Sequence, residues 1–161
     1  MPDDGVIVEL SGEAVARLSA VIATLVPEDA DRFLAVLELG YLAASADGLD
    51  ASERDALATT LEHVTGIGYD HEAFAAHFAD LDDAVAMLGR RERLARTAAD
   101  FETEDDRANA IRFAALVAMC DGTLRAPELE VLGEAGSHFK WDAERIRGLV
   151  TDAADRVRGA R

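Results

Sequence analysis

The sequence predicts an all-α protein, and three observations carry that prediction. Alanine, leucine, glutamate and arginine are plentiful while prolines number only three in 161 residues, so helix formers outweigh helix breakers. Apolar residues recur at spacings of three and four, which aligns them on one face of a 3.6-residue helix. No convincing strand is seen between the helical segments. With half of its residues hydrophobic and 30% charged, residues 1–161 have the balance of one folded domain.

A first helix is expected over residues 11–25, where Val15, Leu18, Val21, Ile22 and Leu25 form a stripe, Ser11 caps the start and Pro27 follows the end. The second, about residues 29–46, buries Phe33, Leu34, Leu37 and Tyr41 and stops at Ala46-Asp47-Gly48, where glycine suits a left-handed residue. The third opens at Asp50-Ala51-Ser52-Glu53, whose first and last residues have capping-box spacing, and runs to about Thr65 before Gly66-Ile67-Gly68 breaks it. Further helices fit residues 70–79, 81–98, 104–120, 126–139 and 142–158, the fourth and fifth either continuous or kinked.

Self-comparison of the chain aligns residues 43–57 with 117–132, with one residue fewer after Gly48. Asp47 then corresponds to Asp121, Glu53 to Glu128, Leu57 to Leu132 and His63 to His138. Each unit reads as helix, Asp-Gly turn, helix, short connection and helix, over roughly residues 29–83 and 104–158. Two such units packed face to face bury both apolar faces, with an N-terminal helix and residues 84–99 completing the bundle.

The stretches Ser45 to Glu53 and Met119 to Glu128 each hold Asp-Gly, an aliphatic residue and a glutamate at a helix start. Given twice in an acidic helical chain, the motif resembles the TerB-like tellurite-resistance family, and the similarity covers most of the chain. The resemblance implies a bundle of about seven helices built from two related halves. It also implies a non-catalytic module of a stress response, with metal binding at acidic residues. Arg125 stands where the first copy has Asp50, a departure from symmetry between the two sites.

Charge narrows the partners. The 32 acidic against 16 basic residues give a net charge of −16, and Lys140 is the only lysine. Such a field repels nucleic acid and anionic lipid and favours cations and other proteins as partners, or serves solubility alone. The one cysteine, Cys120, excludes an intramolecular disulfide and a Cys-rich zinc site. The start has acids in place of a basic leader region, and no apolar run approaches the roughly 20 residues of a membrane span. A cytoplasmic protein is expected.

The candidate metal ligands are Asp47, Glu53, Asp121 and Glu128. With Gly122 at position 6 of a calcium loop, Asp121 falls at 5, Leu124 at 8 and Glu128 at 12, while positions 1 and 3 become Val117 and Met119. Those two cannot ligate, so a complete EF-hand is excluded. If the two turns lie side by side, the four carboxylates make a hard-oxygen cluster suited to Ca²⁺ or Mg²⁺. The competing reading needs no metal: Asp before Gly makes an ordinary turn, and Glu at the third helical position closes a capping box.

His71 and His77, six apart, point about 240° away from each other on a helix and form no ready metal pair. His63 and His138 lie near helix ends, where the helix dipole accounts for them. Cys120 reads as a small core residue. No catalytic triad order, phosphate loop or dinucleotide fingerprint is present, so no enzymatic activity is expected. Arg90 to Arg96 is the one concentrated basic segment, followed by the acidic run Asp100 to Asp106; either a docking surface or a solvated face with locally paired charges fits.

Overall fold

The apolar stripes close into a helical bundle in the computed structural model, which describes residues 6–26, 30–46, 51–65, 71–120 and 122–159, without the side chains of 30, 51–53, 56, 63–65 and 71. Among these residues there are eight helices: α1 (Gly12–Ala23), α2 (Ala30–Ala44), α3 (Ala51–Thr65), α4 (His71–Leu88), α5 (Arg90–Ala98), α6 (Glu104–Ala118), α7 (Ala126–His138) and α8 (Ala143–Arg158). Local signals set several of their starts. The Ser11 hydroxyl accepts from the N–H of Ala14 at 3.1 Å, Thr103 accepts from Asp106 at 3.0 Å, and the Asp142 carboxylate accepts from Arg145 at 2.9 Å. Each side chain satisfies a donor that the first helical turn leaves unpaired. The expected cap at Asp50 and Glu53, the stop at Gly48 and the break at 66–68 lie outside the described residues.

Two expectations are corrected. A small antiparallel sheet exists, β1 (Val6–Glu9) pairing with β2 (Thr123–Arg125), with Val8 opposite Leu124 and Glu9 opposite Thr123. Two strands this short lack the run of alternation that reveals a strand in sequence; a long-range pairing creates them. The second correction concerns the fourth helix, which runs past residue 80 to Leu88. Phe74, Phe78 and Leu81 lie on one buried stripe that spans the expected break, and the interruption falls at Gly89, whose φ of +86° is open to glycine and strained for other residues.

The centre of the bundle is the pair α2 and α6, which share the most extensive helix contact. From Ala110 to Met119 every residue except Arg112 is buried, so the C-terminal part of α6 is apolar almost all round, as a central helix should be. The two backbones approach closely at Gly40, where a Cβ would stand 3.1 Å from the Val117 side chain. Around this pair, α8 packs on α6, α3 on α4, and α5 against both α2 and α7. Helix order is the same in α2–α3–α4 and α6–α7–α8, while the packing differs: α8 lies broadly on α6, whereas α4 meets α2 through Tyr41, stacked on Phe78 at 4.4 Å. No helix among the described residues is long and apolar enough to cross a membrane.

Candidate functional site

The second Asp-Gly turn is built from the end of α6 to the start of α7. Helix α6 terminates at Met119, and the N–H of Gly122 donates back to the Met119 carbonyl at 2.8 Å. Gly122 has φ +97°, the left-handed conformation that favours glycine and lets the chain reverse. The next residues extend into β2, where Leu124 is fully buried, and the Leu10 N–H holds the turn from the other side by donating to the Gly122 carbonyl at 2.7 Å. Arg125 then caps α7, and Glu128 occupies the third helical position.

Glu128 is only 5% exposed, one of three polar or charged residues among the buried set of described residues. Its Oε1 accepts from the Arg125 backbone N–H at 2.8 Å, a charge-assisted bond that satisfies one free helix-start donor. This is one half of a capping box. The reciprocal half is chemically absent, because an arginine side chain offers donors and no acceptor. The exiting half of a calcium loop is therefore reproduced in layout: left-handed glycine, extended aliphatic residue, glutamate three residues into a helix. The entering half is helix α6, with Val117 and Met119 buried in the core.

Of the four candidate ligands, Glu128 alone has a described side chain; Asp47, Asp121 and the Glu53 side chain lie outside the described residues. Among the described residues no three His, Cys, Asp or Glu side chains gather in metal-binding range. The strand that pairs with the turn comes from the N-terminal segment, and Arg158 ties that segment down by donating from Nη2 to the Glu9 carbonyl at 2.7 Å.

The other residues singled out in the sequence have plain surroundings. Cys120 is half-buried against the core, its thiol directed at the Leu116 carbonyl 3.9 Å away. His138 is exposed in the last turn of α7, and the side chains of His63 and His71 are not among those described. His77 is half-buried, its Nε2 has no hydrogen-bond partner among the described residues, and burial lowers its pKa below the ordinary 6.5.

Three arginines of the basic segment are paired, two of them with other helices. Arg93 forms an ion pair with the buried Glu38 of α2, with Nε 2.8 Å from Oε2. Arg90 reaches Glu134 of α7 at 3.2 Å, while Arg96 pairs within its own helix, 3.8 Å from Glu92. Arg93 and Arg90 fasten α5 to α2 and α7.

A polar group that sequence reasoning placed simply in the core surrounds Tyr41. Its hydroxyl donates to Asp82 Oδ1 at 2.8 Å, and Arg54 Nη2 lies 3.0 Å from the other carboxylate oxygen. Burial first, and the Asp82 acceptor second, push the Tyr41 pKa from the ordinary 10.0 to about 12. The available signal was the residue type: a tyrosine on a buried stripe needs a partner for its hydroxyl. The partner's position, 41 residues away, is set by tertiary packing.

Compared with protein-family models, curated proteins and solved structures, the chain gives no significant match.

Proposed function

We propose that this chain is a non-catalytic binding or adaptor module of the TerB-like kind, working in a stress response such as tellurite resistance by contact with other proteins. In this reading the acidic residues at the Asp-Gly turns shape and cap helices. One observation supports it above the others: the Glu128 carboxylate is buried and engaged with the Arg125 N–H at 2.8 Å, the role a capping glutamate has without any ion. The acidic surface, net charge −16, suits basic protein surfaces better than nucleic acid.

The second reading is a divalent-cation module holding Ca²⁺ or Mg²⁺ at Asp121 and Glu128, with Asp47 and Glu53 as further ligands. The half-loop layout around Gly122 favours it, and hard carboxylate oxygens suit those ions. Calorimetric titration of metal-stripped protein with each ion, beside Asp121→Asn, separates the two. Equal, non-saturating heats in both proteins fit diffuse attraction to the acidic surface and support the capping reading. Saturable heat in the wild type that disappears in Asp121→Asn replaces it with the cation module.

A further inference from the structure

Beside Tyr41 a cavity of about 340 Å³ opens where α2, α3, α4 and the start of α5 converge, within the size range of small-ligand sites. Tyr41, Ser45, Arg54, Asp82 and Arg90 line it, with apolar wall from Val85. Its hydrogen bonding is unbalanced. Asp82 is already engaged at both oxygens, one by the Tyr41 hydroxyl and the other by Arg54. Arg90 spends its Nη2 on Glu134. The Nε atoms of Arg54 and Arg90 are both buried, and neither has a hydrogen-bond partner among the described residues. A buried donor without an acceptor is costly, and both of these belong to arginines that line one cavity. Both arginine side chains are still partly open, 34% and 39% exposed, so their guanidinium groups can be approached from the cavity.

The two unpaired buried atoms are both donors, and both are cationic. Ser45 adds a hydroxyl whose own contact, to the Leu42 carbonyl, is long at 3.4 Å. We propose that the cavity between Arg54 and Arg90 binds a small oxyanion, a carboxylate or phosphate group, whose oxygens accept from the two guanidinium groups with the Ser45 hydroxyl beside them. Planar guanidinium forks match oxyanion geometry, and Asp82, ion-paired with Arg54 and hydrogen-bonded by Tyr41, fixes the position of the first fork. Over a surface of net charge −16, generic anion attraction is suppressed, so any saturable anion binding reports a specific site.

The test titrates the full chain with inorganic phosphate and, separately, with succinate, holding ionic strength constant with sodium chloride. Arginine Nε–H resonances of the wild type are followed by NMR, which reads the two unpaired atoms directly and does not depend on any variant folding. Expected is a saturable shift of the Arg54 and Arg90 signals with at least one probe, while those of Arg112 and Arg145 stay still; the responding probe tells phosphate from carboxylate. In Arg90→Gln, affinity for that probe should weaken about tenfold or more, as loss of a charged donor demands. Static Arg54 and Arg90 signals with both probes, parallel drift of all arginine signals, or unchanged affinity in Arg90→Gln would each overturn the proposal.

Discussion

The turn at Gly122 and the cavity beside Tyr41 both bring charged side chains into half-dry surroundings, and they resolve the cost differently. At the turn, the carboxylate of Glu128 is buried against a backbone donor three residues away, so its partner arrives with helix α7 itself. At the cavity, the charges come from α3, α4 and α5 and the tyrosine hydroxyl from α2, and their hydrogen bonds do not close: Asp82 is engaged on both oxygens while two arginine Nε atoms are not engaged among the described residues. A local arrangement can satisfy itself as the chain folds; one assembled from four helices can retain capacity for something else. Polar groups left over in the second kind of place are better pointers to binding than acidic residues in the first kind.

The largest expected effect bears on the turn. Glu128→Ala removes the acceptor of a part-buried N–H at the start of α7 and should cost about 2 kcal/mol, read by denaturant unfolding. Glu128→Gln keeps an acceptor and should cost less than half as much. Equal losses in the two variants would mean that charge rather than capping sets the role of Glu128, which would blur the contrast with the cavity.

The next effect belongs to the cavity. Tyr41→Phe should cost about 1 kcal/mol at neutral pH, since Asp82 keeps Arg54 as a partner. The pH dependence is sharper. In the folded protein the Tyr41 pKa is raised from 10.0 to about 12, so between those values the unfolded chain loses the proton first. Stability from this group is complete below pH 10 and declines as pH rises toward 12, and Tyr41→Phe should lack that share of the decline. A matching slope in the variant would show that the hydroxyl is not held as described.

At the acid side, His77 titrates in the opposite sense. Its folded pKa lies below the ordinary 6.5, so the unfolded chain takes up the proton first as pH falls. Stability linked to neutral His77 is present above that value and lost below it; His77→Gln should flatten stability in this acid range. The smallest effect is that of Arg96→Ala, which removes an exposed ion pair with Glu92 and should change stability by only a few tenths of a kcal/mol. That variant sets the scale of an ordinary surface charge, against which Glu128 and Tyr41 are judged.

Most of the fold was legible because it is written in local period and caps. The stripe at Leu18, Val21 and Ile22, the cap at Ser11 and the helix limits around α6 to α8 follow from residues within a few positions of one another. The β1–β2 pairing was not legible, since it joins residues more than a hundred positions apart and neither strand announces itself. Residues 70–98, open in the sequence to a continuous or a kinked helix, divide at Gly89 and not near 80, where the stripe of Phe74, Phe78 and Leu81 continues. At the turn, Glu128 and its capping spacing were readable, whereas the cavity was not: Tyr41 looked like core, and nothing near it in sequence indicates Asp82 or Arg90.

The fastening of the N-terminal segment has a consequence for how the molecule opens. Strand β1 holds the turn through β2 and through Leu10, Arg158 grips the Glu9 carbonyl, and Arg17 in turn donates to the carbonyls of Val157 and Arg158, 2.8 and 2.9 Å away. Helix α1, the last turn of α8 and the turn before α7 are thus linked through the N-terminal segment. In hydrogen exchange, the amides of Leu10 and Gly122 should lose protection together with the end of α8, so that fraying of the final helix is felt at a turn more than thirty residues upstream.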